Sequence, residues 1–312
     1  MPHCRLIVNP ASGRGTAERF LPEIERLLSG QGVEFDTVRT ERPWHGADLA
    51  EKAAREGCDV AVAVGGDGTA NEVLNGLLRA GDAGRRRCAL GVVSVGQGND
   101  FAFGARIPRD LAAACRVLAL NHRQGMDVAR VVGGDYPQGR CAGNGVGIGF
   151  DAVVGFEALK MKRLHGFPSY AVAAFKTTFL YFRAPLLRIE HDGGTITEKA
   201  LMVSIMNGRR MGGGFLMAPH AENDDGLLDV CIAREVGKAR VFTLIPKFMK
   251  GTQEREKEIT TLRTRRIAVT ALEGSLPAHA DGETLCTAGK ALTIDLLPRA
   301  IEVVCQGQEG AE

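Results

Sequence analysis

Val60-Ala-Val-Ala-Val-Gly65-Gly66-Asp67-Gly68-Thr69-Ala70-Asn71-Glu72-Val73-Leu74-Asn75-Gly76 is the stretch on which the fold turns. Five small or β-branched apolar residues read as a buried strand. Three glycines and an aspartate then make a sharp turn, and an amphipathic segment opens a helix, expected over 70–78. Gly65, Gly66 and Gly68 have no Cβ, so the backbone can take positive φ and lie against a ligand. A helix that starts just past the turn points N–H groups and the positive end of its dipole at that place, which suits phosphate oxygens. Asp67 would repel a bare anion; it makes sense if the ligand carries Mg²⁺ or presents hydroxyl donors. The same letters also describe an ordinary Gly-rich βα turn whose aspartate caps the helix, because short glycine motifs often occur by chance.

Outward from this unit, residues 5–132 alternate strand and helix. Strands are expected at Arg5–Val8, Val33–Arg39, Val60–Val64, Cys88–Val93 and Met126–Val132. Thr16 is placed as the cap of a helix whose apolar side is Phe20, Ile24, Leu27 and Leu28, with Pro22 tolerated near its first turn. Ala47–Glu56 reads as a helix ended by Gly57, and Asp110–Leu120 as another. This alternation predicts a parallel sheet covered by helices on both faces.

From about Cys141 the pattern becomes strand-like, with hairpin signals at Asp192-Gly193-Gly194 and Asp281-Gly282. Strands are expected at Leu186–His191, Ala200–Met206, Leu228–Ala233, Ile259–Thr264, Arg266–Ala271, Ala291–Leu297 and Ile301–Val304. Helical insertions are expected near Ser169–Phe182 and Lys238–Met249. The fold class is therefore α/β: an N-terminal parallel α/β domain, residues 1–127, whose glycine turns make it the expected nucleotide-binding domain, followed by a β-rich domain, 128–305, expected to be sandwich-like. Residues near 300–312 are expected to pack back on the first domain, with the final 306–312 frayed.

A chain of 312 residues has room for two cores. Its 40 glycines are nearly twice the usual share of roughly 7% and are scattered, which signals tight turns. A net charge of +2 and 5% aromatics give no basis for nucleic-acid binding. No apolar run approaches the ~20 residues of a membrane span, and the first eight residues do not read as a signal peptide. The spacing of the eight cysteines resembles neither a metal knuckle nor a redox pair, and buried free thiols in a reducing cytoplasm are expected.

Four further segments carry chemistry. Asn9-Pro10-Ala11-Ser12-Gly13-Arg14 ends the first strand, and Ser94-Val95-Gly96-Gln97-Gly98-Asn99-Asp100-Phe101 follows the Cys88–Val93 strand. In an open parallel sheet both lie at the carboxyl edge beside the Gly65 turn, where ligands bind. Gly212 to Val230 contains Glu222-Asn223-Asp224-Asp225-Gly226-Leu227, whose adjacent carboxylates repel unless a cation such as Mg²⁺ or Ca²⁺ relieves them. His279-Ala280-Asp281-Gly282-Glu283 reads as a hairpin turn with an exposed glutamate. Each also has a plain reading, as a solvated turn.

Taken in order, Gly65-Gly-Asp-Gly-Thr-Ala-Asn-Glu72, Ala218-Pro-His-Ala-Glu-Asn-Asp-Asp-Gly-Leu-Leu-Asp-Val230 and Asp281-Gly-Glu283 resemble the bacterial diacylglycerol kinase-like lipid kinases. Asn9-Pro-Ala-Ser-Gly13 and Gly96-Gln-Gly-Asn-Asp-Phe-Ala102 extend the resemblance over nearly the whole chain. The Gly-Gly-Asp-Gly-Thr element alone is shared with NAD kinases; the acidic segment and the later Asp-Gly-Glu narrow the choice.

The resemblance implies ATP-dependent phosphorylation of a lipid hydroxyl, in a cleft between a nucleotide domain and a β-rich domain. The ATP site would use Asn9, Pro10, Ser12, Gly13, Arg14, Thr40, Gly65, Gly66, Asp67, Gly68, Thr69, Ala70, Asn71, Gln97 and Asn99. Asp67 would be the essential carboxylate beside nucleotide and Mg²⁺, and Glu283 the base that takes the lipid hydroxyl proton. Asp225, with the carbonyls of Glu222 and Leu227, would hold a structural Mg²⁺. Gln97 stands where the family usually has Thr, and Val95 where it often has Pro.

The segment from Leu159 to Phe182 mixes basic and apolar residues. Lys160, Lys162, Arg163 and Lys176 could meet anionic headgroups while Phe167, Phe175 and Phe179 line an acyl groove; an ordinary core-facing helix fits the same pattern. The expectation is a cytoplasmic protein, peripherally associated with membrane through its lipid substrate; a homodimer is compatible with it. Phosphorylation of a soluble substrate such as NAD, or nucleotide binding without turnover, are the alternatives.

Overall fold

The computed structural model describes residues 2–81, 88–96, 98–159, 172 and 184–307. The chain divides into two compact units, residues 1–127 with 299–312, and residues 128–298.

In the first unit β1 (His3–Val8), α1 (Thr16–Gly30), β2 (Glu34–Arg39), α2 (His45–Glu56), β3 (Val60–Gly65), α3 (Asp67–Ala80) and β4 (Ala89–Ser94) alternate. A five-residue helix α4 (Asp100–Gly104), then α5 (Leu111–Leu120) and the start of β5 (Arg123–Gly133), follow. The sheet is parallel, in the order β2-β1-β3-β4, and the end of the last strand, Ala291–Val304, adds beside β4 through Val303 and Leu90. Strand order reverses between β1 and β3, and such a switch point opens a crevice at the carboxyl ends of the strands. Leu6, Val8, Val60, Val62 and Val64 form one core with Leu21, Ile24 and Leu28 of α1 and Cys115 and Leu118 of α5. The alternate residues Ile7, Ala61 and Ala63 are equally buried, and α2 and α3 pack on each other and on β3. Gly76 permits that closeness: a Cβ there would stand 2.1 Å from the Ala47 carbonyl oxygen.

Several boundaries move. Helix α3 begins at Asp67, three residues before its expected start, so Asp67, Gly68 and Thr69 form its first turn. Gly15, not Thr16, caps α1; the Thr16 hydroxyl instead donates to the Gly13 carbonyl at 2.6 Å. The buried side of α1 is Ala17, Leu21, Ile24 and Leu28, and Phe20 faces out, where the Arg19 guanidinium sits 5.5 Å from its ring centre. Pro22 lies in the helix interior, past the first turn. Asp110 does cap α5, accepting the Ala113 N–H at 2.8 Å.

The second unit contains the rest of β5, then β6 (Tyr136–Ala142), β7 (Gly145–Gly149), α6 (Phe150–Leu159), β8 (Leu186–His191), β9 (Gly194–Met206) and β10 (Leu228–Arg234). After the helix Lys238–Lys250 come β11 (Ile259–Thr264), β12 (Arg266–Glu273), β13 (Leu276–Ala280), β14 (Glu283–Gly289) and β15 (Ala291–Val304). Its hairpin and ladder pairings β5–β6, β8–β9, β7–β9, β7–β13, β13–β14, β9–β10, β10–β11, β8–β12 and β12–β15 are antiparallel. The first half of β9 pairs with β8, and β8 with β12 and β12 with β15; its second half lies between β7 and β10. One long strand thus serves two layers around a core that includes Val146, Ile148, Ile189, Val203, Ile205, Val230, Ile267 and Ile294. The two strands expected at Ala291–Leu297 and Ile301–Val304 are one strand. Among the described residues no helix is long and apolar enough to cross a membrane.

Candidate active site

Three loops of the first unit converge at the carboxyl ends of β1, β3 and β4. The Asn9 N–H donates to the Val64 carbonyl at 3.1 Å, the Val95 N–H to the Gly65 carbonyl at 2.9 Å, and the Thr40 N–H to the Val8 carbonyl at 2.8 Å. Asn9 acts at both ends of its side chain: its amide nitrogen donates to Thr69 Oγ1 at 3.1 Å, and its Oδ1 accepts the Ala11 N–H at 3.1 Å. The loop after β1 is thereby tied to the first turn of α3.

Glycine makes the approach possible. A Cβ on Gly13, whose φ is 56°, would lie 2.6 Å from the Val95 carbonyl oxygen; one on Gly96 would lie 2.6 Å from the Gly66 Cα. Gly13, Arg14 and Gly15 are three successive left-handed residues, which turns the chain sharply and leaves Arg14 exposed. Pro10 and Ser12 are half-buried in the same loop.

Asp67 does not cap its helix. Gly66 is the cap residue and makes no side-chain cap bond. The Asp67 carboxylate instead accepts the Phe101 N–H at 2.9 Å, and a Cβ on Gly98 would meet its other oxygen at 2.9 Å. One carboxylate thus joins the β3 turn to the loop after β4 and remains half-buried at the surface they share. Thr69, Ala70 and Asn71 are buried. Asn99 is also buried, in the left-handed conformation, and its amide donates to the Gly96 carbonyl at 3.0 Å. Gln97 lies outside the described residues, as do the lysines, arginine and phenylalanines expected between 160 and 182.

Glu72, eighth in the motif that begins at Gly65, has a job the sequence reading missed. Its two carboxylate oxygens accept the N–H groups of Trp44 and Gly46, each at 2.9 Å, at the amino terminus of α2. A carboxylate there satisfies orphan donors and meets the positive end of the helix dipole. Glutamate so close to a glycine turn was the available signal, but its partner helix lies 26 residues away in sequence.

In the second unit Asp281 and Gly282 form the β13–β14 turn with φ of 49° and 84°, and Ala280 pairs with Glu283. Asp281 is buried. One carboxylate oxygen accepts the Gly143 N–H at 2.8 Å; the other accepts those of Asn144 at 3.0 Å and Gly145 at 2.9 Å. The turn is pinned to the β6–β7 loop, and Glu283, the next residue but one, stands exposed on a fixed backbone.

Nearby, Gly147 is flanked by two titratable groups. A Cβ on it would be 2.4 Å from Asp151 Oδ2 and 2.5 Å from His279 Nε2. Asp151 accepts from Ser204 Oγ at 3.0 Å and from the Ala152 N–H at 2.8 Å; burial nevertheless pushes its carboxyl up to about 7. Burial pushes the His279 imidazole down to about 4, and its Nδ1 accepts the Gly282 N–H at 3.3 Å.

The acidic segment departs from its expected reading. Asp225 Oδ1 accepts the Leu227 N–H at 3.0 Å, while Oδ2 meets the Arg263 guanidinium of β11. Arg263 Nε also lies 3.4 Å from Asp229 Oδ1. A cation 38 residues further along the chain therefore relieves much of the repulsion that the sequence assigned to a metal. Oxygen chemistry is left over, because Asp229 Oδ2 is buried without a hydrogen-bond partner. Burial, then the nearby charge of Glu254, push the Asp229 carboxyl up to about 6, with a lowering by His220 and a smaller raising by Glu222. An unpartnered carboxylate oxygen among further carboxylates is the kind of donor a hard divalent cation accepts.

The first unit thus sets glycine turns and one carboxylate at a strand-order switch, and the second is β-rich. Residues 3–131 match the family described as diacylglycerol kinase catalytic domain, and residues 144–305 match that described as YegS C-terminal NAD kinase beta sandwich-like domain. The chain belongs to the diacylglycerol kinase-like family. A diacylglycerol kinase of Staphylococcus aureus (strain bovine RF122 / ET3-1) is 28% identical over 279 residues, covering 89% of this chain and 85% of the relative. A crystal structure of a diacylglycerol kinase from Bacillus anthracis str. Sterne superposes with a TM-score of 0.74 at 22% identity, over 98% of this chain and 97% of that one. Yeast NADH kinase in complex with NADH is a more distant relative in fold, with a TM-score of 0.50 at 12% identity over 98% of this chain and 84% of that one. Membership makes the protein a phosphotransferase of the lipid kinase class.

Proposed function

We propose that this kinase uses ATP to phosphorylate a hydroxyl of diacylglycerol or a related lipid alcohol. The observation that carries the reading is the Asp67 bridge, which puts a half-buried carboxylate amid three glycine turns at the sheet switch point. Backbone N–H groups and Arg14 suit the triphosphate, and phosphoryl transfer asks mainly for positioning and charge neutralisation. Asn9, Pro10, Ser12, Gly13, Thr40, Gly65, Gly66 and Gly68 shape that surface; Thr69, Ala70, Asn71 and Asn99 hold it from beneath. Gln97 belongs to the same assignment.

Asp67 is assigned to the Mg²⁺ that accompanies the nucleotide, and that ion would supply charge neutralisation at the phosphates. Glu222, Asp225 and Leu227 are assigned to a structural Mg²⁺, with Asp229 Oδ2 as the additional oxygen that favours a cation there. Glu283 is assigned as the base that orients the acceptor hydroxyl and takes its proton late in transfer. Its exposure at a pinned turn supports that role. An acceptor held in a bilayer requires work at the membrane surface, on the cytoplasmic side where ATP is available.

The test is incubation with Mg-ATP and a total lipid extract, followed by mass spectrometry for species that gain one phosphate. A phosphorylated lipid alcohol is expected. Phosphate gained by NAD without any lipid, and by no lipid, would overturn the assignment.

A further inference from the structure

Among the described residues, His3, Asp36 and Cys58 form the one group of three metal-ligating side chains whose donor atoms all lie within 4.8 Å of one another. They come from the start of β1, the middle of β2 and the approach to β3. This is the amino-terminal edge of the parallel sheet, opposite the glycine turns, and β1 spans roughly 17 to 20 Å between the two edges. His3 Nδ1 is 3.5 Å from Cys58 Sγ, and His3 Nε2 is 3.3 Å from Asp36 Oδ1.

Two ligands on one tetrahedral zinc, with bonds of ~2.3 Å to sulfur and ~2.0–2.1 Å to nitrogen or oxygen, stand about 3.3–3.6 Å apart. The three donors, within 4.8 Å of one another, are close enough to reach one ion after a small movement, in which a single His3 nitrogen must serve both neighbours. Asp36 Oδ1 is buried and makes no hydrogen bond, its ion pair with His3 aside. Surrounding charge favours a cation: Glu56 and Asp59 lie close to Cys58, against Arg5, which is bonded to Asp36 Oδ2 at 2.7 Å and to Glu56 at 2.5 Å. Asp59 also accepts the His3 N–H at 2.9 Å, which fixes the backbone that carries the imidazole.

We infer that His3, Asp36 and Cys58 bind a borderline divalent transition metal of the zinc class, with solvent completing its coordination. The donor set of one thiolate, one imidazole and one carboxylate selects zinc or cobalt over magnesium and calcium. The imidazole presents a different nitrogen to each neighbour, so rotation of the half-exposed His3 ring is the adjustment an incoming ion requires. The ion would clamp the start of β1, the middle of β2 and the approach to β3, away from the glycine turns. It therefore acts on the stability of the first unit and leaves phosphate transfer alone, and it is independent of the lipid kinase assignment.

Cobalt titration of the untagged, chelator-treated chain tests this. One equivalent of Co²⁺ should give a thiolate-to-cobalt charge-transfer band with the intense visible bands of tetrahedral coordination, both bleached by Zn²⁺. Zinc at a hundredfold excess over Kd should raise the melting temperature by roughly 5 °C. Cys58→Ser should abolish the charge-transfer band, and His3→Gln should weaken binding at least tenfold. His3 is half-exposed, so that second variant keeps the test decisive should Cys58→Ser fail to fold. A spectrum without a thiolate band, or one that survives in the His3→Gln protein at unchanged affinity, overturns the site.

Discussion

The Asp67 carboxylate accepts the backbone N–H of Phe101 at 2.9 Å, joining the first turn of α3 to the short helix α4. A negative charge at this point both shapes the crevice and faces it. Asp67→Asn keeps an oxygen acceptor for that N–H and removes the charge. The melting temperature should stay within about 2 °C of wild type while the rate of phosphate transfer falls by about 10²–10³. Paired melting and initial-rate measurements separate the two effects.

Glu283→Gln should leave nucleotide binding within about twofold and cut lipid phosphorylation by about 10²–10⁴, the ordinary contribution of a positioned base. Equilibrium binding of a non-hydrolysable nucleotide beside a turnover assay reads this directly. Wild-type turnover would remove Glu283 from the chemistry.

Asp281 satisfies three backbone donors with one side chain. Asp281→Ala orphans the N–H groups of Gly143, Asn144 and Gly145 and should cost about 3 kcal/mol or more, since each unsatisfied buried donor costs ~1–3 kcal/mol. Urea unfolding should show the loss as a lower midpoint. Transfer should fall with it, because the turn that carries Glu283 is no longer fixed.

Glu72→Ala deletes both acceptors at the amino terminus of α2 and should cost about 1–2 kcal/mol, in the range of a lost helix cap. The Michaelis constant for ATP should hold. A large change there would give Glu72 a role at the nucleotide in addition to its helix.

Asp151 and His279, on either side of Gly147, pull stability in opposite directions with pH. Burial raises the Asp151 carboxyl to about 7 from an ordinary value near 4, so the folded state keeps a proton that the unfolded state releases. That contribution falls as pH climbs from about 4 to 7. Burial lowers His279 to about 4 from about 6.5, so the unfolded state binds the extra proton, and this contribution rises over about pH 4 to 6.5. The pair should nearly cancel in the wild type. Asp151→Asn should then gain stability as pH rises through that window, and His279→Gln should lose it; denaturant midpoints at pH 4.5, 5.5 and 6.5 check both signs.

The β3 turn was legible in the sequence because a fully buried strand, a glycine run and a helical period are all local signals. The start of α3 was misplaced by three residues, since Gly68 and Thr69 read as turn when judged alone. Helix α4 is too short for any period to show. Strand β7 is short and glycine-rich, and its partners β9 and β13 are distant in sequence, so pairing rather than propensity decides it. Glu72 on α2 and Arg263 on Asp225 were invisible for the same reason: each is a contact between elements that only the fold brings together. The glycine motifs, by contrast, announce places where a backbone needs room.

The last strand begins in one compact unit and ends in the other, where Val303 joins the parallel sheet next to Leu90. During synthesis the N-terminal layer must therefore wait, with one edge unzipped, until residues 299–304 leave the ribosome. A truncation at residue 298 should leave that edge bare and sticky even with every glycine turn intact. The tail is thus a stitch that finishes the nucleotide-side sheet.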